Sequence, residues 1–146
     1  MPQLRKNSAR QYPLVAEFTF SLTDTMVATD GAVRAFGAGG ASAVFDAINL
    51  PTNAVLIGGE VVVETASNDS GTATVAVGDS GNATRYLAAT SIKAAGRTAL
   101  VPTGYRGNGE DLRLTFANAG GNATAGTVTV RALYTITGRS HEVQPN

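Results

Sequence analysis

The strongest constraint on this chain is a pair of alternating runs near its middle. Residues 54–66 read A-V-L-I-G-G-E-V-V-V-E-T-A, and residues 72–77 read T-A-T-V-A-V. Val, Ile and Thr lose χ1 freedom in a helix and suit a pleated, half-buried surface. In the first run Val61 and Val63 share one face, with Glu60, Val62 and Glu64 on the other. In the second, Ala73, Val75 and Val77 oppose Thr72, Thr74 and Ala76. The polar break Ser67–Gly71 between the runs predicts a β-hairpin with a long loop. A hairpin alone in water is marginal, so other strands must cover its apolar face.

Those strands are legible on both sides. Leu14 to Leu22 alternates strictly, with Leu14, Ala16, Phe18, Phe20 and Leu22 on one face, and Phe18 and Phe20 are core candidates. Asp24 to Asp30 is weak, with Met26 and Val27 as inward candidates. Ala32 to Phe36 is a short strand candidate, and Ser42 to Ile48 a longer one with Val44 and Ile48 inward. Pro51 fixes its own φ and forces a turn over Asn49–Asn53. A second tight connection, Gly78–Asn82, precedes a strand from Thr84 to Thr90 that carries Tyr86. Thr98 to Val101 is a short strand. Leu112 to Phe116 alternates after the loop Thr103–Asp111. The last long strand runs from Thr127 to Thr137.

About eight strands at short, regular spacing, with no amphipathic helix, predict an all-β fold: an antiparallel β-sandwich or barrel, of which the jelly-roll type fits best. The first and last long strands are natural partners for closing it. The expected organisation is an extended basic arm over residues 1–13, a sandwich domain over 14–138 and a polar tail over 139–146.

Composition removes several chemistries. There is no Cys, so disulfides, thiolate metal sites and thiol nucleophiles are excluded. No apolar run is long enough to cross a membrane as a helix, and no apolar segment follows the basic N-terminus, so no secretory signal is expected. The 11 Lys and Arg balance 11 Asp and Glu, which gives no general case for nucleic-acid binding. The charge is uneven, however. Arg5, Lys6 and Arg10 precede the first acidic residue, Glu17, so residues 1–13 carry +3 and the remainder 8 − 11 = −3. Such an arm is either a solvated terminus or a segment that orders against a partner.

Catalysis and metal binding have little support. His141 is the single His and lies in the polar tail. Asp69 and Asp79 each open a D-S-G turn, and Asp79 and Arg85 flank the second one as candidates for an exposed ion pair across it. Calcium is conceivable there, but the spacing is not that of a D-x-[DN]-x-[DN]-G loop, and turn chemistry is the better reading. Asn68, Asn82 and Asn122 head N-x-[ST] triplets that also read as turns. Glu110 and Asp111 are adjacent, so a strand would point them apart rather than across a cleft. No catalytic residue, metal ligand or cofactor is expected. The candidate partner-binding residues are Arg5, Lys6, Arg10 and Tyr12 in the arm, with Tyr105 and Arg106 in the loop 103–111, because Tyr and Arg are enriched at interfaces.

Four pieces of the chain carry a resemblance. They are L-P-T-N-A-V-L-I-G-G-E-V-V-V-E-T-A from Leu50, V-A-V-G-D-S-G-N-A-T-R-Y-L-A-A-T from Val75, A-A-G-R-T-A-L-V from Ala94 and A-G-T-V-T-V-R-A-L-Y-T-I-T-G-R from Ala125. In this order they resemble the small head decoration, or cementing, proteins of tailed bacteriophages. The resemblance implies a jelly-roll virion component that is made in the host cytoplasm and sits on the outer surface of the capsid. It also implies binding to the major capsid protein; a protein of this kind is expected to act without enzymatic activity and to pair with a second copy of itself, as a homodimer that bridges neighbouring subunits. The alternative is a head-fibre or tail-associated module that binds a receptor or glycan, since jelly rolls also serve as lectins.

Overall fold

The computed structural model describes residues 12–138. Its strands are β1 (Leu14–Ser21), β2 (Thr25–Val27), β3 (Val33–Ala35), β4 (Ala41–Ile48), β5 (Thr52–Thr65), β6 (Ala73–Gly78), β7 (Leu87–Ser91), β8 (Gly96–Ala99), β9 (Arg106–Asn108), β10 (Leu112–Asn118) and β11 (Thr127–Ile136). There is no helix among the described residues.

A five-stranded sheet runs β1-β11-β5-β8, with β9 also paired to β5, and a four-stranded sheet runs β4-β10-β6-β7. The short β2–β3 hairpin stands apart. All pairings are antiparallel. Setting aside β2, β3 and β9, the first main strand pairs with the last, the second with the seventh, the third with the sixth and the fourth with the fifth. That nesting is one long ribbon folded about its middle and wrapped into two facing sheets, the jelly roll expected from the sequence. Closure by the first and last strands is also observed: β1 and β11 pair from Leu14↔Tyr134 to Ser21↔Thr127 without a break.

The core lies between the sheets. Phe20, Phe36, Phe45 and Phe116 are buried and meet one another at ring-centroid distances of 4.3–6.1 Å, in tilted or edge-on arrangements. Leu114, Val75, Val77, Val128 and Val130 fill the layers around them. The alternation read for β10 and β11 holds, with Leu112, Leu114, Phe116, Val128, Val130 and Ala132 inward.

The fold corrects six local expectations. The two runs at the centre of the sequence do not form a hairpin. β5 pairs with β11 in the five-stranded sheet, while β6 pairs with β10 and β7 in the other. The link 66–72 is therefore an arch that carries the chain between sheets. The hairpin at the middle of the ribbon is β6–β7, around Asp79. On β4 the inward residues are Ala43 and Phe45 rather than Val44. A bulge, seen as the step from Arg113↔Asp46 to Leu112↔Ile48, then returns Ile48 to the inner face. The strand expected from Thr84 begins at Leu87, because residues 84–86 complete the turn: Arg85 N–H donates to the Asn82 carbonyl. Phe18 is half-buried at the rim of the aromatic cluster, whereas Phe20 on the same strand packs against Phe36 and Phe116, and Val27 is exposed. The loop 103–111 also holds strand β9.

Candidate interaction surfaces

Two surfaces gather the polar chemistry of the domain. The first is the outer face of the five-stranded sheet. Register sets Glu17 beside Arg131 and Arg131 beside Glu60, while Arg97 lies one rung along on β8. The guanidinium of Arg131 donates to Glu17 at 2.5 Å and to Glu60 at 2.9 Å, and Arg97 also pairs with Glu60. The result is a ladder of alternating charge, −, +, −, +, across β1, β11, β5 and β8. Hydrogen bonds from Arg97, then Arg131, hold the Glu60 carboxyl below its usual range. Those to Glu17, then Glu60, raise Arg131. One rung away, the Thr19 and Thr129 hydroxyls lie 2.8 Å apart, and Thr129 donates to Glu64 at 2.9 Å. On the other side of the ladder the face turns apolar, with Val15 opposite Leu133 and Ile57 nearby on β5, both Val15 and Ile57 exposed. The ladder neutralises itself, so this face offers a partner shape and apolar area rather than net charge.

The second surface is the end of the sandwich at the β6–β7 turn. Asp79 is 5 % exposed. Its Oδ1 accepts from the amides of Gly81 and Asn82, each at 2.9 Å, and both carboxylate oxygens accept from Arg85. Burial pushes this carboxyl up, but the Arg85 bond and the two amides outweigh it and leave it below the ordinary value. The Arg85 guanidinium lies over the ring of Tyr105, 3.6 Å from the centroid. Tyr105 in turn donates its hydroxyl to Glu110 at 2.9 Å, and Glu110 accepts from the Asn108 amide at 2.8 Å. Burial, reinforced by Asp79, pushes the Tyr86 hydroxyl up to about 12. This chain of contacts ties the loop 103–111 to the turn at the middle of the ribbon. The sequence suggested the Asp79–Arg85 pair as an exposed one; Asp79 is instead buried, and the Arg85 guanidinium is covered by Tyr105, which local spacing does not reveal.

The candidate binding residues are therefore dispersed. Arg5, Lys6 and Arg10 lie outside the described residues, as does His141. Tyr12 is exposed two residues before β1 begins. Tyr105 is half-buried, one ring face covered by Arg85, and its neighbour Arg106 is exposed on β9.

Both D-S-G segments serve as turns. In the first, the Lys93 ammonium donates to the carbonyls of Asp69 and Gly71 at 2.6 and 2.7 Å, a place a bound cation would otherwise take. In the second, Arg85 fills the carboxylate. Among the described residues, no three His, Asp or Glu side chains converge as metal ligands. The Asn side chains of the three N-x-[ST] triplets are likewise committed to backbone amides: Asn68 accepts from Thr124 and Ala125, Asn82 from Thr84, and Asn122 from Gly39. No helix of the described residues is long and apolar enough to cross a membrane.

No family model matches the chain, and no curated protein matches it. Solved structures do. A chain of the cyanophage Pam1 capsid asymmetric unit aligns with a TM-score of 0.60 at 21 % identity, covering 93 % of this chain and 99 % of that one. A chain of the acidic stable capsid of Helicobacter pylori bacteriophage KHP30 aligns at 0.58 and 16 % identity, covering 94 % and 91 %. A chain of the capsid of Ralstonia phage GP4 aligns at 0.53 and 17 % identity, covering 94 % and 92 %. At these identities the likeness is one of fold: an antiparallel β-sandwich shared with chains found in phage capsids.

Proposed function

We propose that this protein is a non-enzymatic structural component of a bacteriophage head, one that binds the outside of the assembled shell and clamps neighbouring major capsid protein subunits. The observation that carries this reading is the extent of the structural likeness. The alignments take in more than nine-tenths of this chain and of each matched capsid chain, so those chains have little beyond this one sandwich. A small jelly roll with a self-neutralised sheet face and a basic N-terminal segment suits a clamp.

The physics of clamping is simple. A binder that recognises the assembled lattice and not the free subunit stabilises the lattice by mass action. Many copies with modest contacts suffice, because each engaged contact raises the effective concentration of the next. In this reading Arg5, Lys6, Arg10 and the exposed Tyr12 supply the arm's contacts, while Arg106, beside Tyr105, supplies a second point of attachment at the end of the sandwich. Glycan binding gains nothing from the geometry: the chain has no Trp, and Arg85 already occupies one face of Tyr105.

The test mixes purified protein with heads that lack it. Saturable binding, with a rise in the heads' resistance to heat, is expected; no binding at saturating concentration overturns the reading. Deleting Met1–Arg10 should weaken that binding and leave the melting temperature of the free domain unchanged. A lowered melting temperature would assign the arm to the fold instead.

A further inference from the structure

The sandwich has four sheet edges, and three of them are protected. A bare edge strand presents unpaired amides and carbonyls to any other strand, so proteins blunt such edges with bulges, charge, short length or a cover. β4 carries the bulge at Asp46–Ile48, and its Val44 carbonyl accepts from Thr29 N–H of the β2–β3 hairpin. β7 is five residues long, breaks register with β6, and has its Ala88 carbonyl taken by the Thr90 hydroxyl. β8 is four residues long and carries Arg97.

β1 has none of these defences. It is eight residues long, holds eight unbroken rungs with β11, and contains no Lys or Pro. Its one charge, Glu17, is already neutralised by Arg131. Asp24 ties up both backbone groups of Ser21, which leaves the far edge from Leu14 to Phe20 unpaired among the described residues. Beside that edge lies an apolar groove of about 300 Å³, lined by Phe18, Phe20, Met26 and Phe36. Tyr12, 73 % exposed, stands just before the same strand.

We propose that β1 is a dimer seam, at which two copies of this chain pair edge to edge and antiparallel, joining their five-stranded sheets into one. A two-fold antiparallel pair brings residues of like face opposite one another. An axis at Glu17 would set two carboxylates face to face. An axis at Ala16 avoids this: Glu17 falls opposite the second copy's Val15, and Phe18 opposite its Leu14. The same register puts Tyr12 opposite Phe20 of the other copy, over the aromatic groove. Each copy thus supplies the exposed ring that the other's groove lacks, and Glu17 enters the seam already paired with Arg131. The occupant that fits is a second copy of this chain.

The chain has no Cys, so a single introduced one reports the register cleanly. Sedimentation of the full chain at about 100 µM, well above the Kd of a specific interface, should show a dimer. Under mild oxidation Ala16→Cys should form an interchain disulfide, while Ser42→Cys, on the opposite sheet, should not. Tyr12→Ala should raise the dimer dissociation constant about tenfold or more. Val15→Lys, which charges the edge, should give a monomer. Circular dichroism melts confirm that each variant is folded. A wild-type monomer at that concentration overturns the seam, as does a dimer in which Ala16→Cys links no faster than Ser42→Cys. A monomer whose β1 edge takes up a strand of a shell protein overturns it in favour of that occupant. All of this is read without phage heads, so the seam and the clamping role stand or fall separately.

Discussion

The chain uses the tripeptide D-S-G twice, at 69–71 and 79–81, with opposite results. Both aspartates are buried, and the Oδ1 of each accepts from the amide of the glycine two residues on, at 2.6 and 2.9 Å. The second turn closes on itself. Asp79 N–H donates to the Asn82 carbonyl, Asn82 N–H donates back to the Asp79 carboxylate, and Arg85 completes the ring, so every one of these partners lies within six residues. The first turn closes on remote chain. Lys93 holds its carbonyls, Gly121 N–H donates to the Ser70 hydroxyl, and Asn68 grips the backbone at Thr124 and Ala125. One segment becomes the hairpin about which the ribbon folds, and the other becomes an arch between sheets. The lesson is that a turn motif fixes local shape, while distant partners decide which sheet the chain enters next.

Substitutions should separate the two. The largest effect is expected from Asp79→Ala, which strands a largely buried Arg85 and frees two amides. It should cost about 3 kcal/mol in urea unfolding. Asp69→Ala should cost about 1 kcal/mol, because the Asp69 Oδ2 is buried without a partner and its removal offsets part of the lost bond. Equal costs would mean that the two turns are held alike. Next come the glycines that let each turn close. A Cβ on Gly78 would strike the Asn82 carbonyl of its own turn, whereas a Cβ on Gly120 would strike Asp69 and Gly71 of the arch. Each alanine should cost about 2 kcal/mol. Gly120→Ala should speed amide exchange at Gly71 and leave Gly81 protected; loosening of both would break the distinction. Lys93→Met should cost about 1 kcal/mol and act on the arch alone.

The same distinction explains what was legible in the sequence. Alternation is a period-two signal, so it located nearly all the long strands and the core faces of β1, β10 and β11. The eight main strands match the number expected, the short β2, β3 and β9 come in addition, and the β1–β11 closure was expected. The other pairings were not. Ser67–Gly71 has hairpin chemistry, and nothing within ten residues of it shows that Ala125, Lys93 and Gly121 hold it as an arch. The face of β4 was misread because Val44 and Ile48 fall in phase at period two, whereas a one-residue bulge after Phe45 puts Ile48 on the same face as Ala43 and Phe45. Phe18 looked equivalent to Phe20, yet Phe20 packs against Phe36 and Phe116 while Phe18 lies at the rim of that cluster and is half-buried, so Phe18→Ala should cost less than the ~3–5 kcal/mol expected for Phe20→Ala. At the sandwich end, the Asp79–Arg85 pair was visible from spacing. Tyr105 was visible only as a loop aromatic, since its contact with Arg85 comes from the packing of β9 against β5.

The smallest expected effect lies in the pH dependence of the β6–β7 turn, and its sign follows from the two shifted groups. In the folded chain Asp79 sits below its ordinary value of 3.8, burial being outweighed by Arg85 and the amides of Asn82 and Gly81. A depressed carboxyl contributes stability above its unfolded value and loses that contribution as the pH falls through the folded one. The stability gap between wild type and Asp79→Asn should therefore be widest near neutrality and narrow below pH 3.8. Glu60 and Glu110 are shifted the same way by their own partners, so wild type alone cannot isolate the turn, and the gap must be read as a difference. Tyr86 acts at the other end. Burial raises its hydroxyl from 10.0 to about 12, so the folded state keeps the proton that the unfolded chain gives up. Its contribution is complete below pH 10.0 and fades as the pH rises towards 12. Tyr86→Phe should flatten that alkaline fall and leave the acid limb unchanged. An acid limb that Asp79→Asn does not alter would mean that the turn is held by its amides alone, and the contrast with the arch would then rest on geometry rather than charge.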